Sequence, residues 1–193
     1  MALAGVVVGA AWAWLAPPAR AVVALTRSGD RVNAYVGSEA DHLFIGAFLM
    51  LGMPSVLGVV AAVLVWQWRA HRGPLMVAAL SLGSVAATAT AAGLGAWLAH
   101  MRYGVTTLEG APVTPEHRIY YFSEAPPVFF GHSPVQIAAT VLVPAAVAAL
   151  VYALLTVGTM RDDLGAWPPV AAAPVLPAPV GSLPVPTPDA PPQ

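Results

Sequence analysis

The chain has 193 residues, of which 58% are hydrophobic and only 9% are charged, and its formal net charge is −1. Soluble domains carry about 25% charged residues, so this composition indicates a membrane protein. The sequence contains no lysine and its net charge is near zero, so no basic surface indicates nucleic-acid binding. It contains no cysteine, which excludes disulfides, thiolate zinc sites and cysteine nucleophiles.

The first predicted element is an apolar helix over residues 1–16. It is short for a membrane span, and a signal peptide is the alternative interpretation. The segment lacks the positively charged start of a signal peptide, so we expect a retained helix. Gly5 and Gly9 form a GxxxG pair, a spacing that lets membrane helices approach each other closely.

A loop follows over residues 17–38 and contains the stretch "RSGDRVNAYV". Its "SGD" is a turn signal between two short apolar runs, which predicts a small β-hairpin. The next stretch, "SEAD", predicts a capping box at the start of the second helix, with Ser38 as the N-cap and Asp41 at N3.

Three long apolar helices are predicted over residues 43–68, 75–99 and 134–160. Each has about 25 residues without Asp, Glu, Lys, Arg or His, which corresponds to roughly 37 Å of helix and is enough to cross a ~30 Å hydrocarbon core. Pro74 and Pro134 suit the first helical position, and Ser133 suits the N-cap before Pro134.

Two prolines, Pro54 and Pro144, lie inside the second and fourth helices and predict kinks. Neighbouring hydroxyls can satisfy the carbonyls that such prolines leave free, and Ser55 and Thr140 are close enough in sequence to do so. We interpret the kinks as static shape, with gating hinges as the alternative.

The third helix carries small residues at every fourth position, and we call this set the small-residue ridge: Ala79, Gly83, Ala87, Ala91 and Gly95. Helices associate in a bilayer through close backbone approach, which small side chains permit. The ridge therefore predicts that the third helix is the central packing element of the bundle. A homo-oligomer or partner interface is the alternative use of the same surface.

The loop over residues 101–133 is aromatic and contains "HRIYYFSEAPPVFF". This run predicts either a strand or a segment in the membrane interface, and an irregular loop held by its prolines is the alternative. The tail over residues 166–193 is rich in Pro, Ala and Val, which predicts an extended, disordered cytoplasmic segment. It is a tether or spacer in the simpler interpretation and a ligand for an SH3-like domain in the other.

Arginines next to short connections predict the orientation. Arg69 and Arg72 occupy the brief link between the second and third helices, and Arg161 follows the fourth. The positive-inside rule places them in the cytoplasm. With four spans of the plasma membrane, both termini are then predicted to be cytoplasmic. The longer loops also carry arginines, but these are mixed with Asp and Glu.

The sequence offers little chemistry. His42, His100, His117 and His132 fall near the predicted outer face and are weak candidate ligands for zinc or copper, since their spacing matches no metal motif. Convergence of Asp41, His42 and His132 would favour an enzyme. We predict no catalytic centre, no cofactor and no nucleic-acid partner.

Several short motifs carry a family resemblance: the "GDRV" hairpin, the "SEADHLF" helix entry, the "HRGP" turn and the Gly/Ala-rich third helix. Together they resemble a family of four-pass membrane proteins from actinobacteria, mycobacteria and their relatives, which is a domain of unknown function. The resemblance covers residues 1–165. It implies a plasma-membrane location and no assigned activity, so it brings no functional residues.

The predicted fold is an all-α membrane protein: a four-helix transmembrane bundle over residues 1–165, with two extracytoplasmic loops that can include a small β-hairpin, and a disordered tail over residues 166–193. The predicted role is a non-catalytic accessory or scaffold subunit, which would leave an apolar or aromatic patch exposed. The first alternative is a small oligomeric channel or transporter component, with a water-accessible path near Thr88, Thr90 and Thr140. The second is an enzyme that acts on lipid or envelope substrates. The partners we expect are the lipid bilayer and either another membrane protein or a second copy.

Overall fold

A computed structural model describes residues 1–104, 110–159 and 164. Arg161 and the proline-rich tail, about which the sequence made predictions, lie outside the described residues. The elements in chain order are α1 (Ala2–Leu15), β1 (Ala19–Leu25), β2 (Arg31–Tyr35), α2 (Asp41–Trp66), a 3₁₀ turn (Arg69–His71), α3 (Pro74–Tyr103), β3 (Ile119–Glu124) and α4 (Pro134–Val157).

Three of the four helices are long and apolar enough to cross a membrane: α2 with 26 residues, α3 with 30 and α4 with 24. The first helix is different, because its 14 residues extend only about 21 Å, less than a ~30 Å hydrocarbon core. The helices occur where the apolar runs predicted them. The prediction of four full spans is met by length for three of them only.

The loops contain more strand than an all-α fold allows. The predicted hairpin is confirmed as β1 and β2, which pair antiparallel from Ala21↔Tyr35 to Leu25↔Arg31. The aromatic run forms β3, which pairs antiparallel with the other edge of β1, from Ala19↔Glu124 to Ala24↔Ile119. The result is a three-stranded sheet in the order β2-β1-β3 that joins the two loops at one end of the bundle. We call this the sheet end.

Two of the three predicted helix starts are confirmed. Pro74 and Pro134 begin α3 and α4, and Ser133 forms a complete capping box with Gln136. The predicted cap at Ser38 is wrong. Its carbonyl accepts a hydrogen bond from the Asp41 N–H at 3.0 Å within a turn, and α2 begins after Ala40 without a side-chain cap. The chain needs those turn residues to leave β2, so the helix starts later.

The first and third helices pack with their backbones in contact and run parallel. A methyl group at Gly5 would overlap the carbonyl oxygen of Ala87, and one at Gly9 would lie 2.6 Å from that of Ala91. Contacts therefore advance together along both helices, and Met1 lies over Gly83. Because α3 begins at Pro74, α1 covers only the part of α3 nearer the sheet end.

Trp12 of α1 connects the packed pair of α1 and α3 to α2. Its ring is fully buried, and its Nε1–H donates to the carbonyl oxygen of Gly46 at 2.8 Å. A methyl group at Gly95 would lie 2.7 Å from the same ring. The bundle core at the sheet end is therefore built around Trp12, which hydrogen-bonds to the backbone of Gly46 and packs against Gly95.

The opposite end of the bundle, which we call the arginine end, closes around Tyr152 of α4. Trp66 packs edge-on against Tyr152, with ring centroids 5.2 Å apart, and the Arg72 guanidinium lies 4.2 Å from the Trp66 ring centroid. The Tyr152 hydroxyl accepts a hydrogen bond from the Gly73 N–H at 3.1 Å. These contacts fix the turn between α2 and α3 to the last part of α4.

The predicted prolines lie inside helices, Pro54 in α2 and Pro144 in α4. Ser55 donates to the Leu51 carbonyl at 2.7 Å and Thr140 to that of Gln136 at 3.0 Å. The carbonyls that prolines leave free are four residues earlier, at positions 50 and 140. The expected compensation by Ser55 and Thr140 is therefore wrong, because each hydroxyl is bonded to a different carbonyl.

Candidate functional site

The sheet presents one apolar face that the rest of the described chain leaves largely open. Alternate residues share a face of a sheet, and the strand register places six apolar residues on this side, with Arg20 and Ser123 at one end. We call it the open sheet face: Val22, Ala24, Val32, Ala34, Ile119 and Tyr121. The side chains of Ile119 and Tyr121 are 56% and 68% exposed. An exposed apolar surface of this kind is typical of an interaction site.

The other face of the sheet is covered. Val23 is fully buried and packs with Ala111 and Val113, which precede β3, and with the rings of Tyr120 and Phe122. The sheet is therefore asymmetric, with one face used for folding and the other left available.

A cleft of about 400 Å³, which we call the outer cleft, lies between the sheet, the start of α2 and the segment that precedes α4. Three phenylalanine rings line it, together with Tyr35, Glu124 and His132: Phe44, Phe129 and Phe130. The Tyr35 hydroxyl donates to Glu124 Oε2 at 3.0 Å, which ties the two outer strands together across β1. Burial raises the pKa of Tyr35, and the hydrogen bond and negative charge of Glu124 raise it further.

A second concavity, the apolar groove, runs along α2 beside α1 and has a volume of about 850 Å³. Its lining extends from Asp41 to Val56 on α2 and includes Val8 of α1. Every lining residue except Asp41 is apolar or glycine. Phe44 lines both the groove and the outer cleft, so the two concavities adjoin at that ring.

The candidate histidine ligands lie in separate environments. The Nδ1 atom of His42 lies 3.1 Å from Glu39 Oε2 and 3.0 Å from the carbonyl oxygen of Pro18. His100 bonds to the Ala96 carbonyl of its own helix, His117 is exposed before β3, and His132 lines the outer cleft. Within the described residues, no group of three or more His, Asp or Glu side chains could hold a metal ion.

The geometry that would favour an enzyme does not form. His42 pairs with Glu39, Asp41 lines the apolar groove and His132 lines the outer cleft. Among the hydrogen bonds of the described residues, none links Asp41, His42 and His132 to one another. All three lie at the sheet end of the bundle, but their side chains have different surroundings.

The hydroxyls of the bundle interior are engaged within their own helices. Thr88 donates to the Ser84 carbonyl and Ser84 to that of Leu80, at 2.9 and 2.8 Å, and both side chains are buried. Thr140 is buried as well and donates to Gln136, and the exposed Thr90 hydroxyl donates to Ala86. This pattern suits packing rather than a polar path.

The small-residue ridge divides into two parts. Ala87, Ala91 and Gly95 are buried under α1, Gly83 lies beneath Met1, and Ala79 is exposed beyond the start of α1.

The two described arginines of the predicted cytoplasmic link differ in their surroundings. At the arginine end, Arg69 is exposed. Arg72 has a structural role as well, since its Nε and Nη1 donate to the carbonyls of Trp66 and Leu164 at 2.9 and 2.6 Å.

Sequence reasoning missed the residues that shape the concavities. Tyr35 and Glu124 are 89 positions apart, and nothing local in either strand predicts their contact. Phe44, Phe48 and Gly52 were visible as one spacing of i, i+4, i+8 on α2, which places them on a single face. That spacing was the available signal for the groove.

Comparison with known proteins gives a family and no activity. Residues 1–166 match the family described as "Protein of unknown function (DUF2567)". The chain is 54% identical over 167 residues to the uncharacterized protein Rv1591 of Mycobacterium tuberculosis, which is 86% of each chain. It is 51% identical over 161 residues to the uncharacterized protein ML1222 of Mycobacterium leprae, covering 83% of this chain and 81% of that one. No solved structure matches.

Proposed function

The chain belongs to the DUF2567 family of proteins of unknown function, and from that premise we propose that it is a non-catalytic accessory subunit of the plasma membrane. Its docking surface is the open sheet face. The observation that carries this proposal is the exposure of Ile119 and Tyr121 on a sheet whose other face is packed. A sheet that had only to close the bundle would not need a second apolar side.

The proposed arrangement in the membrane has the sheet end outside and the arginine end in the cytoplasm. Arg69 and the neighbouring Arg72 support this orientation through the positive-inside rule. The direction of α1 supports a cytoplasmic N-terminus, because α1 runs parallel to α3 and α3 begins at the arginine end. We include α1 as the fourth, shorter membrane segment of the bundle.

The small-residue ridge supports an internal role for most of its length. Ala87 and Ala91 are in backbone contact with α1, so they are not free for a partner. This directs the proposed partner contact to the sheet face instead. A channel or an enzyme receives less support, because the interior hydroxyls bond within their helices and the outer titratable groups do not converge.

The test is affinity purification of a tagged chain from native membranes in mild detergent, with mass spectrometry of the proteins that co-elute. We expect a stoichiometric partner for the unmodified chain and its loss in the double variant Ile119→Ser, Tyr121→Ser. The variant His117→Ser, at an exposed polar position before the same strand, is the matched control and should retain the partner. A preparation without a partner, or a partner retained by the double variant, would contradict the proposal.

A further inference from the structure

The apolar groove has one polar group, and that group lies at one end. Asp41 is the first residue of α2 and is exposed, at the sheet end of a groove that otherwise has apolar walls. The neighbouring Glu39 and His42 pair with each other, whereas the Asp41 carboxylate has no hydrogen bond or ion pair to the described residues. The apolar groove therefore has a negative charge at its sheet end.

The length of the groove suits a hydrocarbon chain. From Asp41 to Val56 the helix rises about 22 Å at 1.5 Å per residue. One leaflet of a ~30 Å hydrocarbon core is about 15 Å deep. A chain whose head group lies beside Asp41 would therefore remain in contact with the groove through its own leaflet.

The volume of the groove suits a small molecule. Its 850 Å³ lies within the range of about 300–1,000 Å³ that small-molecule sites occupy. An acyl chain is a ligand of this size class.

We propose that the apolar groove is a lipid site that holds one acyl chain of a phospholipid with an ammonium head group, of the phosphatidylethanolamine type, with its ammonium on the Asp41 carboxylate. Charge complementarity selects this head group. An anionic head group without an ammonium would face the charge of Asp41, and it would be disfavoured. The inference rests on the proposed membrane orientation only in that the sheet end must lie at head-group level.

Two glycines provide a matched test of the groove. Gly52 lines the groove and Gly93 lies on the exposed side of α3, and a methyl group at either position meets nothing within 4 Å. Gly52→Leu therefore fills the groove without a backbone clash, and Gly93→Leu adds the same side chain elsewhere. Val56→Trp fills the groove from its far end and is the second variant. Asp41→Asn removes only the charge.

The experiment is native mass spectrometry of the delipidated full chain after addition of dioleoyl phosphatidylethanolamine or dioleoyl phosphatidylglycerol. We expect one bound phosphatidylethanolamine at a preference of about fivefold over phosphatidylglycerol, as one partly hydrated ion pair supports. Asp41→Asn should remove the preference and retain binding. Gly52→Leu and Val56→Trp should lose the bound lipid, while Gly93→Leu keeps it.

Equal retention of both lipids by the unmodified chain would overturn the head-group assignment. Equal binding by Gly52→Leu, Val56→Trp and Gly93→Leu would overturn the site, since the lipid would then be non-specific. The unfolding temperature of each variant shows that it is folded. This result is independent of the partner test, because the groove variants leave Ile119 and Tyr121 unchanged.

Discussion

At the scale of single residues, the fold depends on places where no side chain can fit. Gly5 and Gly9 let the backbone of α1 touch that of α3, and Gly95 accommodates the ring of Trp12. Their value is steric. Glycine lowers helix stability by about 1 kcal/mol relative to alanine, so close packing at these positions opposes helix propensity.

Gly9→Ala should destabilise the protein although alanine is the better helix former. The added methyl group would lie 2.6 Å from the Ala91 carbonyl oxygen, so the two helices must separate. Overpacking of this kind costs about 1–3 kcal/mol. Thermal unfolding in detergent measures the effect.

The matched control is Gly93→Ala, where a methyl group meets nothing within 4 Å. It should leave the unfolding temperature unchanged or raise it. Equal effects of the two substitutions would show that α1 and α3 do not pack through this seam.

Tyr35→Phe should remove a pH-dependent part of the stability. The pKa of Tyr35 is higher in the folded chain than its ordinary value of about 10, so folding stability falls as the pH rises above 10. Phenylalanine cannot ionise, and the variant should lose less stability over that interval. At neutral pH it should be less stable by about 1 kcal/mol, because the bond to Glu124 is gone.

Unfolding measured in detergent from pH 8 to pH 11 gives both values. Tyr121→Phe is the control, since that side chain lies on the open face away from Glu124. The same alkaline loss of stability in the unmodified chain and in Tyr35→Phe would contradict the assignment.

At the scale of elements, local signals predicted what local chemistry determines. Long apolar runs predicted α2, α3 and α4, and Pro134 with Ser133 predicted the start of α4 within one residue. The signal failed at Ser38, because the chain must turn out of β2 before a helix can begin. A capping motif describes a helix start only where the preceding chain permits one.

The pairing of β3 with β1 is the element-level feature that the sequence leaves open. The aromatic run was compatible with a strand, with a segment in the membrane interface and with an irregular loop. The choice depends on β1, about 100 positions earlier, which presents a free edge because β2 occupies only its other side. A long-range partner of this kind has no local signature.

Ser133→Ala should weaken the start of α4 by about 1 kcal/mol, the usual cost of losing an N-cap. The Ser133 hydroxyl and the Gln136 side chain satisfy two backbone N–H groups there. Hydrogen exchange of the first turn of α4 should become faster. Ser133→Asp restores an N-cap acceptor and should return the exchange to nearly its original rate. Unchanged exchange in the alanine variant would show that Pro134 alone sets the helix start.

At the scale of the whole molecule, the parts form a bundle with two unlike ends. One end carries a sheet with an open apolar face, an outer cleft and a groove that begins at Asp41. The other carries the short turn with Arg69 and Arg72 and a closed aromatic cluster around Tyr152. The composition predicted a membrane protein and the short motifs resembled the family, but the position of the open face required the strand register.

Single-cysteine labelling tests the central claim, that the chain crosses the plasma membrane with its sheet end outside. The sequence has no cysteine, so one can be introduced without background. Glu116→Cys lies on the sheet side and Ala70→Cys at the arginine end, and both positions are exposed. In intact cells, a membrane-impermeant maleimide should label the cysteine at position 116, and it should reach the one at position 70 only after permeabilisation. The reverse pattern, or labelling of both in intact cells, would contradict the account.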